Sequence, residues 1–163
     1  MTQTSDDTGV SLADAFTHEH HAIDAGIEEY LASTQPDPLV RAAPLLGAMS
    51  ALRRHIYLEE EIVFPHLPRG PLMMPLMVMY REHGELWRRM DALADRLQAP
   101  GQPADDVAAT CRELLDLLDA HNTKEEPVIY PYMDSDLSPA EQAEVRHLLA
   151  DGELPQGWVC QKA

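Results

Sequence analysis

A motif beginning at His55 and running through Glu59, Glu60 and Phe64 to Pro65 returns at His121, Glu125, Glu126, Tyr130 and Pro131, 66 residues later. Both copies read H-x3-E-E-x3-aromatic-P. A histidine and a glutamate four residues apart on a helix lie one turn apart on the same face. Each copy therefore aims an imidazole and a carboxylate at a single point. A weaker echo joins Glu19-His20 with Ile23 to Glu82-His83 with Leu86. The chain reads as two copies of one helical hairpin about a pseudo-two-fold axis, and a site on that axis receives matching groups from each half.

Apolar spacing places the helices that carry these residues. Ser11 caps a first helix running to about Ser33, with Leu12, Phe16, Ile23, Ile27 and Leu31 on one stripe and His20 within it. Thr34–Pro38 is a turn. Leu45, Met49, Leu52, Ile56 and Val63 mark a second helix, with His55 and Glu59 on the same side; Pro65–Pro71 ends it and links to the next. Leu76, Met79, His83, Leu86, Met90, Leu93 and Leu97 form a third stripe. After a break at Ala99–Pro103, a fourth carries Val107, Leu114, Leu118, His121, Glu125 and Val128. A short loop is expected after Pro131. Ser138, Pro139 and Glu141 then spell a capping box that opens a fifth helix to about Ala150.

Short connections favour antiparallel neighbours. The expected fold is all-α: an up-down-up-down antiparallel four-helix bundle with a short C-terminal fifth helix. Residues 1–10 read as a disordered tail, 11–133 as the bundle, and 134–163 as a short helix and a tail with Trp158, for which packing back on the bundle and fraying are both open.

Four histidines on apolar stripes, one per helix, are hard to explain as ordinary core residues. Two carboxylates facing each other across a core repel, and each costs several kcal/mol, roughly, to bury unpaired. Two divalent cations between them remove that conflict, and imidazole with carboxylate suits iron, manganese or zinc. The expected ligand set is His20, His55, Glu59, His83, His121 and Glu125. One histidine pair comes from the first two helices and one from the last two, with Glu59 and Glu125 bridging. Glu60 and Glu126 read as groups behind or beside the ligands. His18, His21 and His147 read as surface, His66 as loop, Cys111 as a small buried hydrophobe, and Met73, Met74, Met77 and Met79 as core filler. Glu144-x-x-His147 occurs once and reads as accidental.

The charge balance narrows the partners. Twenty-eight acids against 12 bases give a net charge of −16, which repels phosphate backbones and anionic lipid. Nucleic acid and membrane are therefore not expected as partners, and no protein partner is legible; the small diatomic or peroxide ligand expected as partner follows only from the family resemblance given below. The polar, acidic start Met1–Val10 lacks signal-peptide features. Cys111 and Cys160 form no CxxC, in keeping with a reducing compartment. The expected location is the cytoplasm.

These residues (Glu19-His20, the two H-x3-E-E-x3-aromatic-P segments and Glu82-His83) resemble the hemerythrin-like HHE cation-binding family over roughly residues 12–133. The resemblance implies a four-helix bundle holding two iron ions in a non-haem di-iron centre with bridging carboxylates, zinc or manganese being possible substitutes. Members carry oxygen, sense oxygen, redox state or iron, respond to nitric oxide, or decompose peroxide. The oxygen carriers have two histidines four apart on the third helix. Here Met79 stands at the earlier position before His83. A thioether is a poor ligand for iron among hard donors, which counts against simple oxygen carriage. Water, Tyr57, Tyr80 and Glu82 are the candidates to replace the missing ligand. Pro127 is expected to kink the fourth helix just past Glu125.

Overall fold

In the computed structural model, residues 10–99 and 104–163 are described. Every regular element among them is helical. Helix α1 spans Leu12–Ala32. Its first backbone N–H groups would be orphaned. The Ser11 hydroxyl accepts from the Asp14 N–H at 3.0 Å, and the Asp134 carboxylate takes those of Leu12 and Ala13 at 2.9 and 3.2 Å. Helix α2 spans Pro38–Tyr57 and is capped by Asp37. It continues without a break into a wider π turn, Leu58–Val63, and a tight 3-10 turn, Phe64–His66. Helix α3 spans Arg69–Gln98, so the linker is shorter than the expected Pro65–Pro71. Pro71 lies in the first turn, where its missing N–H is not needed.

Helix α4 spans Ala104–Val128; of the break expected before it at Ala99–Pro103, Ala99 caps α3 and the rest lies outside the described residues. The loop expected after Pro131 is instead helix α5, Tyr130–Asp136, with Pro131 in its first turn. Helix α6, Pro139–Asp151, carries both arms of its capping box: Ser138 N–H to Glu141 Oε1 at 2.8 Å and Glu141 N–H to Ser138 Oγ at 3.1 Å.

Helix α1 packs on α2, α3 on α4, and the two hairpins meet through α1 with α4 and α2 with α3. Gly26 permits a close approach: a Cβ there would lie 2.9 Å from both the Ala48 Cβ and the Pro44 carbonyl. Burial forms two separate apolar clusters. One contains Ile23, Ile27, Leu52, Ile56, Leu86, Met90, Leu114 and Leu118. The other contains Phe16, Val63, Phe64, Leu76, Met79, Ile129, Tyr130 and Met133. Along each long helix and the turn that continues it, the motif residues fall between a contribution to one cluster and a contribution to the other. The polar residues of the motifs thus form a layer between two greasy ones.

Four expected core positions are exposed. Val128 faces solvent because the helix is interrupted after it, and Ile129 and Tyr130 are buried in its place. Met73, Met74 and Met77 also face solvent; of that group only Met79 is core. The C-terminal tail does pack back. Trp158 meets Tyr57 and Trp87 edge-on at 5.2 and 5.5 Å, and Cys160 is buried. Among the described residues no helix is long and apolar enough to cross a membrane.

Candidate metal centre

The layer between the clusters holds all six residues that the motifs single out. They form two groups sharing both glutamates: His20, His55, Glu59 and Glu125, and Glu59, His83, His121 and Glu125. Within each group the donor atoms lie within 4.8 Å of one another, and every member is buried. Helical spacing brings this about, because His55 and Glu59, like His121 and Glu125, project from successive turns. The Nε2 to carboxylate distances are 3.5 Å in the first pair and 3.3 Å in the second.

Each imidazole is fixed from behind by a carboxylate. His20 Nδ1 donates to Glu126 at 2.8 Å and His83 Nδ1 to Glu60 at 2.7 Å. His55 Nδ1 donates to Glu19 at 3.1 Å and His121 Nδ1 to Glu82 at 3.0 Å. The four pairs obey the pseudo-two-fold of the sequence: Glu126 is the repeat partner of Glu60, and Glu82 the echo of Glu19. With Nδ1 engaged, every Nε2 turns inward. A carboxylate behind a histidine sets the ring's tautomer and orientation and raises its basicity as a ligand. Glu60 and Glu126 were expected near this position; the matching role of Glu19 and Glu82 is carried by their place directly before His20 and His83. Glu82 is also paired with Lys124, so it backs His121 and does not replace the missing histidine. Tyr57 packs on Trp158 and Tyr80 on Phe64, both outside the cluster.

The electrostatics show what the interior lacks. Burial opposes the charged form of His55, but the carboxylates of Glu59 and Glu19 outweigh it and raise its pKa to about 10. His83 and His121 are likewise raised against burial, by the surrounding carboxylates of Glu125, Glu59 and Glu60 in the first case and of Glu125 and Glu82 in the second. Burial and mutual repulsion push Glu59 upward, yet His55 and His83 hold it below the usual range. Glu125 is held well below, chiefly by His121. Protons on histidines thus supply positive charge to two fully buried carboxylates. Even so, Glu59 Oε1, His83 Nε2 and Glu125 Oε2 have no hydrogen-bond partner. Buried polar atoms are rarely left unpaired, and these three converge within one quartet. An imidazole and carboxylate donor set with orphaned inward atoms fits divalent metal.

A seventh residue enters the centre. The Tyr130 hydroxyl lies 2.8 Å from His20 Nε2, 3.0 Å from His55 Nε2, 2.9 Å from Glu59 Oε2 and 2.8 Å from Glu125 Oε1. Burial, with Glu125 and Glu59 beside it, raises its pKa well above the ordinary value. The only sequence signal for it is the single chemical difference at the aromatic position of the repeat, Phe64 against Tyr130. Residues read as uninvolved stay away: His18, His21 and His147 are exposed, and His66 pairs with Glu141 at 2.9 Å. Cys111 is buried in the core, remote from the cluster's ligands.

Fold and site together define a class: helical metal-binding proteins with the cation centre enclosed between the helices. A sequence profile of the hemerythrin HHE cation-binding domain matches residues 11–133, and the chain belongs to that family. Searches of curated proteins and of solved structures returned no significant match.

Proposed function

We propose that this chain is a non-haem di-iron protein that binds or turns over a small oxidant, O2, H2O2 or NO. In this reading the four helices form an up-down-up-down antiparallel bundle. His20 and His55 hold one ion, His83 and His121 the other, and Glu59 and Glu125 bridge them. The observation that carries the reading is the convergence of three buried donors in one quartet, Glu59 Oε1, His83 Nε2 and Glu125 Oε2, which face one another at 3.3 and 3.8 Å and make no hydrogen bond. Bound iron supplies the electrons and open coordination positions that a diatomic or peroxide ligand needs.

The chain's own residues supply the rest. Glu19, Glu60, Glu82 and Glu126 hold the four imidazoles in register. Phe16 and Phe64 wall the centre against water: Phe16 lies 5.0 Å from the His55 ring, and Phe64 stacks on His83 at 5.9 Å. Met79 lies one helical turn before His83 and leaves that side without a strong donor. It also lines a cleft of about 300 Å³, bounded by Met74, Val78, Lys124, Val128 and Ile129. Its apolar lining suits the entry of small uncharged oxidants. Peroxide breakdown is the version that Met79 favours. Iron-loaded protein is expected to consume H2O2 catalytically; peroxide that persists undiminished over iron-loaded protein would contradict it.

A second reading, a non-catalytic module that senses iron, oxygen or redox state, stores iron, or holds structural zinc, draws on the complete burial of Glu59 and Glu125. Metal that neutralises such groups couples binding to folding. A melting temperature indifferent to metal would remove this reading, and oxidant-dependent colour would remove zinc, which has no redox chemistry.

A further inference from the structure

The two halves of the centre are built from a repeated motif, yet they are not chemically equal. On the His83 side the aromatic of the repeat is Phe64, stacked nearly parallel to the imidazole at an interplanar angle of 8°. On the His20 side it is Tyr130, which is wholly buried. Its hydroxyl contacts all four donors of that quartet and belongs to no other group.

Hydrogen bonding alone does not account for this crowding. A phenol has one proton to give and two lone pairs. Four partners surround it, and two of them, Glu59 and Glu125, are carboxylates competing for the same proton. His20 Nε2 and His55 Nε2 also face each other at 3.1 Å, an arrangement that needs a proton or cation between them. The spacing fits another description. Neighbouring corners of an octahedral shell with metal–ligand bonds near 2.1 Å are about 3 Å apart. Around the quartet, His20 Nε2 to His55 Nε2, His20 Nε2 to Glu125 Oε1 and His55 Nε2 to Glu59 Oε2 measure 3.1, 3.4 and 3.5 Å. The hydroxyl stands 2.8–3.0 Å from every member, as a ligand adjacent to all four would. A hydroxyl sitting where the metal belongs would be near 2.1 Å from them.

We infer that Tyr130 is a fifth protein ligand, binding as phenolate to the metal of the His20–His55 half. The inference rests on the metal-centre reading above. On binding, the phenol proton is released to solvent, a metal–oxygen bond forms and no electron is transferred. The His20–His55 position is then more fully ligated by protein. The His83–His121 position keeps the orphaned donors, faces Phe64 and Met79, and is where an external ligand enters. A neutral hydroxyl near the metal would not produce phenolate signatures, which makes the two arrangements separable.

The test is resonance Raman and visible spectroscopy of the full chain loaded with ferric iron, with iron counted per chain. The expected result is a tyrosinate-to-iron charge-transfer band with enhanced phenolate ring modes, both lost in Tyr130→Phe that still holds iron. In Tyr30→Phe, Tyr57→Phe, Tyr80→Phe and Tyr132→Phe, the four other tyrosines of the chain, the modes persist, and this assignment by elimination stands even if Tyr130→Phe fails to fold. Two irons per chain without phenolate modes, or modes that survive Tyr130→Phe or vanish in Tyr80→Phe, would overturn the inference and leave the metal-centre reading intact. A chain that takes up no iron would overturn that reading first and this one with it.

Discussion

Glu60 accepts from His83 Nδ1 with one oxygen and from the Gln161 backbone N–H, at 2.9 Å, with the other. It is buried with both carboxylate oxygens engaged. Replacing such a carboxylate behind a metal-ligating histidine lowers metal affinity about 10–100-fold. Glu60→Gln is expected to fall in that range by competition against a chelator, with helicity unchanged; an unaltered affinity would remove the supporting role given to Glu60. The raised histidines bear on pH. In the metal-free protein His55 keeps its proton up to a pKa of about 10, and His83 and His121 are shifted the same way. Ligation needs the Nε2 lone pair, so metal uptake releases protons and affinity rises with pH. Calorimetry in buffers of different ionisation enthalpy reads this directly. For stability of the metal-free chain the signs differ by group. The His55 contribution is complete below its ordinary value of 6.5 and is lost as pH rises toward about 10. Those of Glu59 and Glu125 are present above 4.5 and are lost as pH falls through their depressed values. Denaturant midpoints of metal-free protein are therefore expected to decline at both extremes.

Both copies of the motif leave regular α geometry at the ligand glutamate or just after it. In the first, a π turn spans Leu58–Val63; such turns are frequent at functional sites. In the second, Pro127 cannot donate toward Thr123, α4 ends at Val128, and α5 resumes at Tyr130. The interruption turns Tyr130 inward in place of Val128, so an apolar stripe drawn with constant helical period misplaces both. The proline was legible as a kink, but the phase change that follows from it was not. The tail is a further element whose contacts depend on tertiary packing. Gly84 on α3 lies against the Lys162 backbone, where any Cβ would collide. Gly84→Leu is expected to lift the tail, cost about 1–3 kcal/mol of stability, and weaken metal binding by freeing Glu60. Loss of stability with unchanged metal affinity would separate the tail from the site.

At the scale of the whole molecule, a polar layer divides the core in two. Two carboxylates buried between apolar clusters are strongly destabilising when unpaired, and a ligand that binds only the folded state raises apparent stability by mass action. Chelation is expected to lower the melting temperature markedly, and restoring metal to recover it; scanning calorimetry checks both. Most of the cluster was legible in the sequence because helical spacing and duplication each point to the same residues. Tyr130 was obscured because an aromatic before proline reads as core, and only its place opposite Phe64 in the repeat marks it. The short α5 was hidden because Pro131 reads as a helix end when it is a helix start. The first measurement is elemental analysis of the full chain after anaerobic iron loading. The account predicts about two irons per chain, one for each of the two donor groups. No bound metal, or a single zinc that iron does not displace, would contradict it.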